Sequence, residues 1–471
     1  VSDESKVSRR KFLKYAGAGA IAVAAAAAAG TYLTQQPGPS VTTTAGTTTA
    51  ETSASASTTM QSTAAPVEIK FMNIWTEANN KAGFGQQLAL AEAKYPNIKV
   101  DNVALEDVEY ATAIKTAIAS GHAPELMGNC FIGLPNYGEY IEAGGLHPLD
   151  QLYEEEGWKS KIFPALWQRQ TWKDGHIYGV SVHYDGWVWW ADLDILKKAG
   201  VKFPDDVSTW DKFLVSCRAI KNAGYYPVAM AGKDVWPLKE YFAYISQTTV
   251  GEEDIKKSFS YFGPRKIPFD SPQWVDALTH MVSLVKEGLT NPAIMDLSYD
   301  DYWGIWVPQK AAFSYDGNWL PAQTGAIPEW LAFWDGPKIV GKPLIIGDPA
   351  SFYAISSEKW GNTHITESED VLRVILSDPG MKLWLKTWGF TSEINENTVE
   401  NGCAQIYIDI QNHWLASPAT LSPCWNYASS VLDTAVSDAM VRALSGTLTP
   451  KDAMAEIEKA ASAEQGGTIS P

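Results

Sequence analysis

Residues 180–194, VSVHYDGWVWWADLD, govern how the whole chain is read. Trp187, Trp189 and Trp190 fall within four positions, directly after His183, Tyr184 and Asp185. Side chains alternate across a strand, so Trp187 and Trp189 share one face and Val188 and Trp190 the other. The pattern predicts a strand, preceded by three groups suited to touching a ligand. Gly186 gives the backbone freedom between the two parts.

Outward from this stretch, 471 residues are too many for one ordinary domain, and two lobes are expected. The composition, 45% apolar and 19% charged, is that of a globular protein. Net charge is −17, and without the first 66 residues 32 basic groups face 51 acidic ones, a balance of −19. So acidic a surface argues against nucleic acid and against polyanionic ligands. Twenty tryptophans and twenty tyrosines exceed what a core of this size asks for, and some of them point to a site.

The N-terminus reads as an address. SRRKFLK, Ser8–Lys14, precedes a weakly apolar Ala/Gly run from Ala16 to Leu33, the order of parts in a twin-arginine export signal. Residues 1–39 are expected to be that signal or an N-terminal anchor. Residues 40–66 hold 15 Ser/Thr between Ser40 and Ala65, too little apolar surface to offset chain entropy, and are expected to be a disordered stalk. The folded part would then work outside the cytoplasmic membrane.

The four cysteines include no CxxC pair, which argues against zinc and redox sites. Cys217 sits on the apolar face of a helix with Phe213 and Ile220. Cys403 and Cys424 are expected to be able to form a disulfide in an exported protein.

From Val67 the chain alternates strand and helix: VEIKFMNIW, FGQQLALAEAKYP, NIKVDNVAL, EYATAIKTAIASG, then a third strand at Glu125–Asn129. This predicts a largely parallel, doubly wound α/β lobe with its site at the carboxyl ends of the strands.

These segments, followed by YIEAGGLHPLD, WKDGHIYGVSV, ADLDILKKAGVKFPDDVSTWDKFL, FDSPQWVDALTHMVSLVKEGL, WVPQKAAFSYDGNWL, DPASFYAIS and TPKDAMAEIEKA, resemble the extracellular solute-binding proteins of sugar ABC transporters, the family that includes maltose-binding protein. The likeness runs in order from Val67 to Ala461. It implies a two-lobed periplasmic-binding-protein-like (type II) α/β fold with a cleft between lobes joined by hinge crossovers. Lobe 1 would be 67–180 plus 344–392, and lobe 2 would be 185–342 plus 393–463. The family's usual Tyr-Asn after the hinge strand is Trp189-Trp190 here.

A pyranose offers apolar C–H faces and a ring of hydroxyls, so its site mixes aromatic rings with carboxylates, amides and imidazoles. At the expected rim and hinge such residues are Trp75, Glu77, Asn80, Asn129, His183, Tyr184, Asp185, Trp236, Asn318, Trp319, Asp348 and Trp425. Trp189, Trp190, Trp303 and Trp306 are expected to pack in the core. The resemblance implies capture of a sugar, an oligosaccharide in particular, by a monomer that needs no cofactor and delivers it to a membrane permease. An exported carbohydrate-active enzyme is the first alternative, but no GxSxG, HExxH, P-loop or dinucleotide fingerprint is present. A same-fold receptor for a cationic or peptide ligand is the second.

Overall fold

The computed structural model describes residues 65–76, 78–128, 137–323, 327–340, 346–348, 352–416 and 424–464. The expected export signal and stalk, Glu77 and Asn129 lie outside them.

Among the described residues, ten strands make two sheets. The first sheet holds β1 (Val67–Asn73), β2 (Ile98–Ala104), β3 (Leu126–Gly128) and β4 (Val180–Ser181), with β10 (Phe352–Ile355). The second holds β5 (Asp185–Asp192), β6 (Tyr226–Val228), β7 (Ala311–Gly317), β8 (Leu331–Trp334) and β9 (Ile346–Asp348). The order in the first is β2-β1-β3-β10-β4, and β1 runs parallel to both β2 and β3. β10 returns antiparallel between β3 and β4, so the lobe is parallel only in its first half. Helices Ala78–Lys94 and Asp107–Ser120 cross over between β1, β2 and β3. The second of these stops at Gly121, whose φ of 76° lets its N–H return to the last helical carbonyls.

The second sheet runs β6-β7-β5-β8, with β9 also on β5. Here β5 is antiparallel to β7, β8 and β9. Every residue of β5 is buried. Trp187 and Trp189 enter one core with Phe213, Tyr241 and Tyr315, while Val188 and Trp190 enter another with Tyr302 and Trp306. The alternation expected from the sequence is thus the division between two cores. Each fully buried ring contributes roughly 1.5–3 kcal/mol.

The stretch 180–194 is not one strand. Val180–Ser181 belongs to the first sheet and Asp185–Asp192 to the second, so the chain changes lobe across Val182–Tyr184. β9 joins the second sheet at Asp185–Trp187, although 344–392 was assigned to the first lobe. Helix Gln405–Ala416, assigned to the second lobe, serves both: Tyr407 packs in the first lobe's core and Ile410 in the second's.

Two glycines make room for that helix. A β-carbon at 186 would fall inside the Trp414 indole, and one at 389 would strike the Tyr407 ring. Gly186 is therefore required for space rather than for freedom. The Tyr184 hydroxyl completes the bracket by donating to the Tyr407 carbonyl at 3.2 Å.

The expected Cys403–Cys424 disulfide is absent. Both thiols are free, because Cys403 is buried in the first lobe's core and Cys424 in the second's. Burial pushes the Cys403 thiol up to about 11, and that of Cys424 well above its usual range.

Candidate ligand-binding site

On the second lobe, the carboxyl ends of β6 and β7 meet the start of β5. β7 finishes at Asp316-Gly317, opposite Val188 and Trp187. Trp319 then folds back over Gly317, where a β-carbon would occupy its ring. Beyond β6 the chain turns tightly at Val235, with φ 63° and ψ −38°, and the Trp236 N–H donates to the Asp234 carbonyl at 2.7 Å. This is a γ-turn, unusual for a β-branched residue. It is held by Asp234, whose carboxylate accepts the Tyr299 N–H at 2.7 Å.

The result is a partly exposed aromatic face of Trp236, Tyr299, Trp303 and Trp319. Ring centroids lie 4.5 Å apart for Trp236–Tyr299 and 5.1 Å for Tyr299–Trp303. Trp187, 5% exposed, stands edge-on behind Trp319 at 5.0 Å and Trp236 at 5.8 Å. A hydrogen-bond relay fixes the face from beneath. The Trp319 indole N–H donates to the Tyr299 hydroxyl at 2.7 Å, and that hydroxyl donates to Asp316 at 2.9 Å.

Asp316 is 2% exposed, and desolvation pushes its carboxyl up to about 7, against the opposing pull of the Gly317 N–H and the Tyr299 and Tyr302 hydroxyls. At the edge of the face, Asp300 is raised above its ordinary value by partial desolvation, then by the charges of Glu106, Asp234 and Asp301. Glu106 belongs to the first lobe, so the lobes approach each other here. They touch again where Ser430 donates to Glu139 at 3.2 Å and where the Arg169 guanidinium lies 4.9 Å over Tyr427.

Of the expected ligand-binding residues, Trp236 and Trp319 lie on this face. The others that the structure describes are placed elsewhere. His183 is 0% exposed, stacked on Trp388 at 4.8 Å and on Trp384 at 5.4 Å, with Asp185 2.9 Å from its Nε2. Tyr184 and Asp185 are buried beside it. Trp75 is buried against the same two tryptophans, its indole donating to the Tyr353 hydroxyl at 3.2 Å. Asn80 is buried within its helix. Trp425, 2% exposed, stacks on Phe242 at 5.0 Å within the second core.

Asn318 is a staple. Its backbone N–H donates to the Gly186 carbonyl at 2.8 Å, its amide oxygen accepts the Gly186 N–H at 3.2 Å, and its amide nitrogen donates to the Tyr184 carbonyl at 3.1 Å. The backbone of Asp348 pairs with that of Asp185 between the two strands.

Tyr299, the centre of the face, is not among the residues expected from the sequence. Its signal lay in Ser298, which caps the helix Tyr299–Trp306 by accepting the Asp301 N–H and so sets Tyr299 at the first helical position. Trp303 packs, partly buried, against the core that holds Trp190 and Trp306, as expected, and its remaining surface lies on the face; Trp306, Trp189 and Trp190 are fully buried.

A family profile described as bacterial extracellular solute-binding protein matches residues 77–359. An uncharacterized ABC transporter extracellular-binding protein of Pyrococcus horikoshii is 24% identical over 256 residues, 54% of this chain and 56% of the relative. A multiple sugar-binding protein of Streptococcus mutans is 21% identical over 295 residues, 62% of this chain and 67% of the relative. The first of these alignments thus spans little more than half of its relative's length. Among solved structures, a chitin oligosaccharide binding protein superposes with a TM-score of 0.76 at 20% identity, covering 85% of this chain and 100% of that one. A maltose-bound T. maritima protein follows at 0.69 and 17% identity, covering 84% of this chain and 99% of that one. Both are two-lobed α/β proteins of the fold described above.

Proposed function

The chain belongs to the bacterial extracellular solute-binding proteins, and on that premise we propose that it captures a carbohydrate, an oligosaccharide in particular, and hands it to a membrane ABC permease for import. One observation carries the reading: a partly exposed face of four aromatic rings, two of them tied by a buried relay, with Glu106 of the first lobe near its edge. Flat rings stack on the apolar faces of sugars at little cost in side-chain entropy, and several rings suit several sugar units. Similar proteins that bind chitin oligosaccharide, maltose and multiple sugars point the same way. Closure of the lobes would add contacts from the first lobe and shift the protein toward the form a permease recognises. The protein binds without turnover in this reading, and residues 1–66 export and tether it.

The test is a melting-temperature screen with chitotetraose, xylotetraose and maltotetraose, followed by calorimetry. A ligand that binds only the folded chain raises its melting temperature. At least one tetrasaccharide should do so and remain intact; release of reducing ends would favour an enzyme, and no shift with any of them would sink the sugar reading. A second reading draws on Glu106, Asp234, Asp300 and Asp301, which gather at the edge of the face. It makes the ligand cationic, and binding would then weaken steeply with salt, whereas a neutral sugar should barely respond.

A further inference from the structure

Asp316 is the one carboxyl beneath the aromatic face among the described residues, and it is too deeply buried to meet a ligand. Among the described residues no cation is paired with it. Its surroundings are hydroxyls: Tyr299 donates to it at 2.9 Å, and Tyr302, stacked on Tyr299 at 5.7 Å, shares a short hydrogen bond with Ser314. The Gly317 N–H also donates to it at 2.7 Å, and the Tyr302 hydroxyl lies within its reach. A buried carboxylate without a cation is costly, and an apolar residue of similar shape would cost the fold less. The relay it terminates supplies a reason for keeping it.

A tyrosine hydroxyl has a single proton. Because Asp316 accepts that proton, the Tyr299 oxygen keeps its lone pairs for the Trp319 indole N–H, 2.7 Å away. The direction of the relay is thus set at Asp316, and with it the planes of both rings.

We propose that Asp316 is a positioning residue for ligand binding: it never touches the ligand, and it fixes Tyr299 and, through it, Trp319 in the orientation that stacks on the ligand. The proposal rests on the reading of the aromatic face given above. It assigns Asp316-Gly317-Asn318-Trp319 four separate duties: orienting the relay, leaving room for the indole, stapling the crossover, and presenting the ring.

The test uses the folded protein labelled with 5-fluorotryptophan. The Trp319 fluorine resonance is identified by its loss in Trp319→Phe. Without ligand, the wild type should give one narrow Trp319 line. Asp316→Leu should broaden or split it, and Asp316→Asn, which keeps an acceptor for the Tyr299 hydroxyl, should restore it. With the tightest of the three tetrasaccharides, Asp316→Leu should lose about tenfold in affinity, with a melting temperature no lower than wild type. An unchanged line and affinity in Asp316→Leu would overturn the proposal, as would a lowered melting temperature with affinity intact. Should Asp316→Leu fail to fold, Tyr299→Phe breaks the same relay and should broaden the same line. If no tetrasaccharide binds, the sugar reading falls, while the ligand-free spectra still decide the role of Asp316.

Discussion

Trp414 lays its indole against the backbone of Gly186, in space that any β-carbon at that position would fill. The contact joins the first crossover between lobes to the helix that bridges both cores. Gly186→Ala should therefore expel the indole or distort the crossover, at a cost of about 2–4 kcal/mol. Urea midpoints would show it. In a Gly186→Ala/Trp414→Ala double variant, the two costs should be clearly less than additive; strict additivity would mean that the two residues do not meet.

Asn318 holds the same crossover by hydrogen bonds. Asn318→Ala would leave the Tyr184 carbonyl and the Gly186 N–H buried without the side-chain partner each now has. Each such loss costs about 1–3 kcal/mol. Stability should fall by roughly the sum, and calorimetry of unfolding would measure it. A near-neutral substitution would remove the staple from the account.

The roles of the aromatic residues divide by exposure. Trp236→Ala and Trp319→Ala should lower saccharide affinity by about 1–3 kcal/mol, or roughly tenfold to more than a hundredfold. His183→Ala and Trp425→Ala should mainly cost stability, since their rings are packed in the two cores. Titration calorimetry beside melting curves separates the two effects, and the opposite pattern would relocate the site to the crossover.

Two buried carboxyls set a pH dependence. Desolvation raises both Asp316 and Glu393 to about 7; for Glu393, Lys161 opposes the rise and Asp378 and Glu396 add to it. Between the ordinary carboxyl range and pH 7, the folded chain binds more protons at these sites than the unfolded chain does. Their contribution to stability therefore falls as pH rises through that window and levels off above it. Asp316→Asn/Glu393→Gln should gain about 3–5 kcal/mol relative to wild type on going from pH 5 to pH 8. An equal difference at both pH values would contradict the assignment.

Because Cys403 and Cys424 lie in separate cores as free thiols, dithiothreitol should leave the melting temperature unchanged. A drop on reduction would reveal a bridge.

Much of this architecture was legible in the sequence. Alternation placed Trp187 and Trp189 opposite Val188 and Trp190, and the order of segments placed the crossover near His183. The site was less legible, for a physical reason. His183, Asn318 and Trp425 belong to the residue types that bind sugars, but the same types also close aromatic stacks and satisfy buried backbone groups. Local sequence does not distinguish a ligand's hydroxyl from a neighbour's carbonyl. Trp384 and Trp388, one turn apart, could have announced a stack waiting for a ring such as His183. Tyr299 was hidden because its neighbours Trp303 and Trp306 made its helix look like plain packing.

Helix Gln405–Ala416 carries a consequence for folding. It places Tyr407 in one lobe's core and Ile410 in the other's, so neither core is complete unless this helix is seated. The lobes are then not independent folding units, despite their separate sheets. Loss of order in one removes a wall from the other, and the pair should melt as a single cooperative unit. Whatever is gained by occupying the aromatic face of the second lobe is thereby shared with the first, including the buried stack around His183.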